Sequence, residues 1–216
     1  MFKLTNLFSR KSKGLNLVID PNGMHNIGGK PPTNFIAPKL EQSPLVYIGC
    51  ISKKESYLKD LEFDLHLCCP MFIDLRTPLF MNYSEPLAPQ VIYENVATDF
   101  FPLFDDIKPT DYIEYSELHF NFDQSKDHSI DEFFIGKIGH SGTPQWIREE
   151  DWPSCPISGN KMKFLCQFSD IDDSEVVHGE EVLEKEDFLS YLNFAHGYLY
   201  LFYDADSKVV AYLNQY

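Results

Sequence analysis

The stretch that decides the fold is KIGHSGTPQWIREEDWPSCPISGNKMKFLCQF, residues 137–168. It places His140 and Ser141 between two glycines, continues through a loop rich in small residues and proline, and ends in an apolar segment. The G-x-S-x-G pattern of a hydrolase nucleophile elbow is not met, because Thr143 stands where the second glycine is required. The turn-forming residues therefore favour a structural role, in which the stretch folds the second half of the chain.

A related unit stands near the start of the chain, in NIGGKPPTNFIAPKLEQSPLVYIGCIS, residues 26–52. Both units run through Ile-Gly, a turn with proline, an aromatic–Ile pair and a proline-containing loop into an apolar segment. The apolar segments 45–52 and 162–169 align position by position, and a polar stretch and a second apolar strand follow each of them. An internal repeat of this kind predicts two related halves.

The polar stretches have the spacing of helices. In 52–63, Ser52 and Glu55 form a capping-box pattern, and in 179–196 apolar residues recur on one helical stripe. We therefore predict an α+β fold: two pseudo-equivalent lobes of antiparallel-rich sheet with a few flanking helices. The chain, 1–216, is expected to be a single compact domain. Its parts are lobe one (20–80), an insert (85–134) whose strands carry charged outer positions, and lobe two (135–216).

Charge limits the classes of partner. Eighteen Lys and Arg against 33 Asp and Glu give a net charge of −15. Such a surplus argues against nucleic acid, whose binding depends on cation–phosphate attraction, and against an anionic membrane surface. It is compatible with a basic protein partner, because complementary fields accelerate association. Acidity that serves solubility alone is the other reading of the same number.

The carboxylates are concentrated in two stretches, 99–132 and 170–187, each with few lysines. Single-sign stretches of this kind favour a face that meets cations. The candidate partner-binding residues are Asp105, Asp106, Asp111, Glu114, Asp123, Asp127, Asp170, Asp172, Asp173 and Glu175.

No metal or cofactor is predicted. No two histidines are spaced four apart, the acidic run 170–175 lacks the glycine and distant glutamate of a calcium loop, and no phosphate-binding glycine loop occurs. Five cysteines are an odd count without a C-x-x-C pair, which favours free thiols and a cytoplasmic location. The N-terminus has no signal-peptide pattern, and no uncharged apolar run is long enough to span a membrane.

The frame of the second half resembles the YwqG-like family of largely uncharacterised bacterial proteins. The matching positions there are Lys137, Gly139, Pro144, Trp146, Cys155, Phe164, Gln167, Gly197, Leu199 and Phe202. The first half matches through Gly28, Gly29, Pro31 and Phe72. The resemblance implies a two-lobed α+β fold and no established activity. It also implies that members with a C-x-x-C loop can hold zinc, whereas Ser158 occupies the second position of that loop here.

From charge, repeat and resemblance together we expect a non-enzymatic cytoplasmic binding protein. The favoured hypothesis is an immunity protein that neutralises a cognate, basic bacterial toxin by occluding it. The alternative is a small-molecule binding or sensing domain, with a ligand between the lobes beside Trp146 and Trp152. A third hypothesis is a cysteine hydrolase that uses Cys155, which would need a histidine near that thiol.

Overall fold

A computed structural model describes residues 14–41, 43–70, 75, 77–92, 107–108, 110–123, 137–184 and 187–216. Nearly all of its regular structure is β-strand. The strands are β1 (Leu15–Ile19), β2 (His25–Ile27), β3 (Leu45–Ile51), β4 (Leu65–Pro70), β5 (Leu79–Asn82), β6 (Gln90–Val91), β7 (Glu114–Tyr115), β8 (Leu118–Asp123), β9 (Lys137–Ser141), β10 (Lys163–Phe168), β11 (Ile171–His178), β12 (Tyr191–Leu192), β13 (Tyr198–Asp204) and β14 (Val209–Gln215).

The strands form two sheets. Eleven of them lie in the order β4-β3-β2-β8-β1-β9-β10-β13-β14-β5-β6, and three form a small sheet in the order β12-β11-β7. Every pairing is antiparallel. The expectation of a fold dominated by antiparallel sheet is therefore confirmed.

The large sheet curves until its β4 end meets β14. Tyr83, which follows β5, donates a hydrogen bond of 2.8 Å from Oη to the carbonyl of His66 in β4. The same Oη lies 2.7 Å from the hydroxyl of Tyr212 in β14. Because both tyrosines are fully buried, these bonds form in the interior, where paired hydroxyls avoid the cost of desolvation.

The centre of the large sheet separates two apolar clusters. On β13, Leu199, Leu201 and Tyr203 pack into the main core, whereas Tyr200 and Phe202 pack into a second cluster on the opposite face. The loop 142–161 covers this second cluster with Trp146 and Trp152. The continuous aromatic pattern of 198–203 fits this position, because a strand packed on both faces carries apolar residues at every position.

The helices predicted for 52–63 and 179–196 do not form as predicted. The first segment is a chain of turns, in which the amides of Glu55, Leu58 and Leu61 each donate to the carbonyl three residues earlier. The inward side chains recur every third residue, and Glu55 points towards the buried His25 instead of capping Ser52. A period of three suits consecutive turns better than an α-helix, whose faces repeat every 3.6 residues.

The second segment is divided among three short elements: the helix α1 (Glu180–Leu183), a 3-10 helix (Asp187–Ser190) and β12. The pairing of Leu192 with Ile171 draws its end into the small sheet. Asp170 then fixes the exit of this segment by accepting a 2.6 Å hydrogen bond from the amide of Phe194. Among the described residues, no helix is long and apolar enough to cross a membrane.

Candidate functional site

The small sheet brings the two acidic stretches together. Tyr115 of β7 lies opposite Val176 of β11, and Glu114 lies opposite His178. The amide of Ser116 donates to the carbonyl of Glu175 at 2.7 Å. Residues more than 50 positions apart in the sequence therefore share one surface.

Burial along β11 decides which side chains that surface presents. Ile171 and Ser174 are buried, whereas Asp172, Asp173 and Glu175 are exposed. The buried Ser174 hydroxyl donates a 2.8 Å hydrogen bond to the carbonyl of Ser116, so the polar group that turns inward is satisfied. The three carboxylates are thus held outward by a strand whose inner side is anchored.

Two apolar side chains lie among the carboxylates. Tyr112 is 50% exposed and Val177 is 58% exposed. The hydroxyl of Tyr112 donates to the carboxylate of Glu114 at 3.0 Å, and its ring lies 5.2 Å from that of His178. The pKa of Tyr112 is raised, mainly by partial burial and to a lesser extent by the hydrogen bond to Glu114. The phenol therefore remains a neutral donor.

We name this surface the acidic face. It consists of the exposed Tyr112, Asp172, Asp173, Glu175 and Val177, with Asp111 and Glu114 at its edge. Two further exposed acids, Glu180 and Glu181, continue the negative surface from the end of β11 into α1.

The edge residues are less available than those on β11. Glu114 has a side chain only 12% exposed and lies 3.9 Å from the ammonium of Lys30. Asp111 accepts a 2.9 Å hydrogen bond from the backbone amide of Lys108. Both carboxylates therefore already take part in contacts within the chain.

Two other predicted residues lie elsewhere. Asp123 ends β8 and lies opposite Asn16 in the large sheet, away from the acidic face. Asp170 is partly buried and has a local structural role, because its two oxygens contact the amide of Phe194 and, at 3.1 Å, the ring of His196. Burial raises the pKa of Asp170, and these two contacts partly offset that effect. Asp105, Asp106 and Asp127 are outside the described residues.

The aromatic residues considered for a ligand pocket pack against one another. Trp146 stacks on Tyr200 with ring centroids 5.0 Å apart, and on Phe202 at 5.9 Å. Trp152 meets Trp146 edge-on at 5.8 Å and carries the Lys161 ammonium 4.1 Å above its ring. An open groove beside this cluster is lined by polar and charged residues as well as apolar ones: Arg148, Glu149, Glu150, Asp151, Leu213, Asn214, Gln215 and Tyr216.

Cys155, considered as a nucleophile, is 1% exposed. Its sulfur lies 3.0 Å from the hydroxyl of Ser207, which in turn contacts Asp204 at 2.7 Å. The side chains that the structure places beside this thiol are thus a serine and a carboxylate from the β13–β14 turn. Within the described ranges, no group of three or more His, Cys, Asp and Glu side chains is arranged to hold a metal ion.

Sequence reasoning missed the two apolar members of the acidic face. Tyr112 and Glu114 alternate with the buried Ile113 and Tyr115, which is the period-two signal of a strand edge. That signal was present in DYIEYS, but the partner strand of this segment could not be inferred from it.

Comparison with protein-family models, with curated proteins and with solved structures found no match in any of the three. The resemblance to the YwqG-like family is thus a prediction that rests on the residues quoted above.

Proposed function

We propose that this protein is a non-enzymatic binding protein, specifically an immunity protein whose acidic face occludes the basic active-site cleft of a cognate toxin. The observation that carries the proposal is the convergence of two acidic stretches on one sheet around two exposed apolar side chains. The carboxylates would steer a basic partner, and Tyr112 and Val177 would supply the apolar contacts that slow its dissociation.

The proposal needs the apolar residues as much as the charge. Exposed carboxylates raise association rates and discriminate between partners, but each contributes little affinity at the rim of an interface. Most of the binding energy at protein interfaces comes from a few central residues, and tyrosine is among those enriched there. On the acidic face, Tyr112 has this chemistry, and its bond to Glu114 restricts the side chain before binding.

The packing of the aromatic cluster supports protein binding over the small-molecule alternative. Trp146 is stacked against Tyr200 and Phe202, which lie on one face of β13, so one face of its ring is taken up by contacts within the protein. The acidic face, by contrast, leaves its apolar members exposed to solvent.

We also infer that the chain consists of two pseudo-equivalent lobes. Counted outward from the β8/β1 pair, the strand order is β2-β3-β4 on one side and β9-β10-β13 on the other. The pairing register shifts between Tyr47 and Gly49 on one side and between Phe164 and Cys166 on the other. These positions correspond in the alignment of 45–52 with 162–169, which supports a duplication.

The test of the proposed function is charge reversal with a matched control. D172K/D173K/E175K changes three exposed residues of the acidic face, and E41K/E62K/E85K makes the same change in net charge at exposed positions outside it. Co-expression with the toxin encoded by the neighbouring gene measures rescue, and binding kinetics with the purified toxin measure association.

We expect the first variant to lose rescue and to associate roughly 10–100-fold more slowly at low salt, because steering depends on local charge. The control should stay within about threefold of the native rate, since its three residues are not part of the acidic face. Full rescue by a correctly folded D172K/D173K/E175K variant would contradict the proposal.

A further inference from the structure

Two tight turns from distant parts of the chain face each other beside the second apolar cluster. In the first, the amide of Gly159 donates to the carbonyl of Cys155, and the amide of Cys155 donates to the carbonyl of Asn160, both at 2.8 Å. The second is the turn between β13 and β14, which begins at Asp204. Each turn directs two side chains, three positions apart, towards the other turn: Cys155 and Ser158 from the first, Asp204 and Ser207 from the second.

One carboxylate oxygen is the centre of this cluster. Oδ2 of Asp204 accepts hydrogen bonds from Oγ of Ser158 at 2.5 Å and from Oγ of Ser207 at 2.7 Å. Because the Ser207 hydroxyl gives its proton to Asp204, the thiol of Cys155 donates to Ser207 across 3.0 Å. Charge-assisted bonds of this kind are about twice as strong as neutral ones.

The environment of Asp204 agrees with this role. Asp204 is 7% exposed and Cys155 is 1% exposed, whereas Ser207 is partly buried and Ser158 lies at the surface, so the cluster runs from the protein surface into the interior. Burial by itself would raise the pKa of Asp204, but the hydrogen bonds from Ser158 and Ser207 outweigh it and lower the pKa. Asp204 is therefore ionised at neutral pH, surrounded by donors.

The spacing is that of a four-ligand structural zinc site. Such sites commonly take two ligands from each of two turns, with two residues between the members of a pair. Residues 155, 158, 204 and 207 have this spacing, but three of the four positions hold oxygen side chains. The electrostatics are also reversed, because a zinc site surrounds a cation with anionic thiolates, whereas here hydroxyl and thiol donors surround an anion.

We propose that this cluster is a metal-free counterpart of a two-turn zinc centre, in which the carboxylate of Asp204 joins the turns as a bound ion would. It fixes the loop 154–161 to the β13–β14 turn, and with it Trp152 over the second apolar cluster. This role is independent of the proposed function, because the cluster and the acidic face have no residue in common.

The decisive experiment converts the cluster into a site of four thiols. S158C/D204C/S207C places thiols at all four positions, and we expect it to bind Zn²⁺ one to one. With Co²⁺ it should show the intense visible absorption of tetrahedral thiolate coordination, and its Tm should rise with Zn²⁺ and fall on chelation. The native protein should show no change of Tm with Zn²⁺.

The matched control is S154C/N160C/D206C, which adds three thiols to the same two turns at exposed positions. If S158C/D204C/S207C has a native circular dichroism spectrum but binds Co²⁺ no better than this control, the proposed geometry is wrong. Tight Zn²⁺ binding by the native protein would likewise overturn the metal-free role.

A second measurement decides the case if the converted variant does not fold. In a folded D204N variant, alkylation of Cys155, followed by mass spectrometry of its peptide, should be at least tenfold faster than in the native protein. The reason is that a neutral amide binds the two hydroxyls more weakly than a carboxylate does. An unchanged alkylation rate would show that Asp204 does not hold the turns together.

Discussion

The two strand sets of the proposed duplication, β2-β3-β4 and β9-β10-β13, differ in how each holds its loop. In the second set, Gln167 of β10 binds the backbone of Gln145 twice, accepting from its amide at 2.7 Å and donating to its carbonyl at 3.4 Å. Tyr200 donates to the same carbonyl, and Trp146 stacks on Tyr200 and Phe202. Hydrogen bonds and stacked rings together fix the loop 142–161.

In the first set, the position of Gln167 holds Cys50, which cannot form a paired amide contact of this kind. The loop aromatic there is Phe35, whose ring meets Tyr47 at 5.7 Å and His66 at 5.6 Å with steep interplanar angles. Ile36, the residue after it, is 67% exposed. The loop aromatic of the first set thus makes fewer of the described ring contacts than Trp146 does in the second set.

The largest expected effect on the free energy of unfolding comes from replacing each of the two loop aromatics, Trp146 and Phe35, by alanine in separate variants. Trp146→Ala should lower the free energy of unfolding by about 3–4 kcal/mol, because it deletes two stacked contacts and opens the second apolar cluster. Phe35→Ala should cost about 1–2 kcal/mol, since its partly buried ring lies edge-on to Tyr47 and tilted to His66 and is not stacked on either. Urea denaturation of both variants measures the difference.

Conservative substitutions serve as the control. Trp146→Phe and Phe35→Leu retain apolar bulk, so each should recover part of the loss. Equal losses for Trp146→Ala and Phe35→Ala would contradict the view that the two loops are held differently.

The second expected effect is a dependence of stability on pH. It arises because the set β9-β10-β13 has a histidine, His140, at the position where the set β2-β3-β4 has the amide of Asn26. His140 of β9 lies opposite Gln167, and Asn26 of β2 lies opposite Cys50. Each side chain bonds a carbonyl of the turn that follows, His140 that of Thr143 and Asn26 that of Gly28, both at 3.1 Å. Burial lowers the pKa of His140 from 6.5 to about 4.

A pKa that is lower in the folded state means that the unfolded chain binds the proton more tightly. The stability from neutral His140 is therefore complete above pH 6.5 and is lost as the pH falls towards 4. The loss should reach roughly 3 kcal/mol at pH 4. His140→Asn, which copies the first set, should remove this part of the pH dependence, measured as the free energy of unfolding between pH 4 and 7.

His119→Asn is the matched control, because His119 is exposed on β8. It should keep the native pH profile. If His140→Asn and the native protein lose the same stability between pH 6.5 and 4, the titration of His140 is not responsible.

Elements of the fold that depend on neighbouring residues could be predicted from the sequence, whereas those that depend on contacts between distant residues could not. The second apolar strand of lobe two, which is β13 in the structure, could be predicted because its apolar pattern is local and continuous. The helix predictions failed because contacts distant in sequence override the local pattern. Glu55 contacts the ring of His25, and Leu192 pairs with Ile171 in the small sheet, and neither contact can be seen in a helical spacing.

For the candidate site too, the sequence predicted the local features and missed the long-range contacts. The acidic stretches were visible as composition, but the pairing of Glu114 with His178 that joins them is a long-range register. For the same reason Asp123 and Asp170 were grouped with the surface although contacts elsewhere hold them. The contact of Asp204 with Ser158 spans 46 residues and therefore leaves no pattern in the local sequence.

The smallest expected effect on stability concerns a residue pair between the two outer strands of each set, β10–β13 and β3–β4. Tyr203 of β13 pairs with Lys163, and Cys69 of β4 pairs with Val46, so the first set fills this position without a hydroxyl. The Tyr203 hydroxyl is buried and has no hydrogen-bond partner in the described part of the chain. A buried hydroxyl without a partner costs about 1–3 kcal/mol.

Tyr203→Phe should therefore leave the free energy of unfolding unchanged or raise it by up to about 1 kcal/mol, as the ring contact with Phe63 is kept. Tyr83→Phe is the matched control, and it should lose about 1–2 kcal/mol because its hydroxyl bonds the carbonyl of His66. Thermal and urea denaturation of the two variants under one buffer condition measure both values. A loss of more than about 1 kcal/mol in Tyr203→Phe would mean that the hydroxyl is satisfied. In that case the second set would differ from the first at this pair by a hydrogen bond and not by bulk alone.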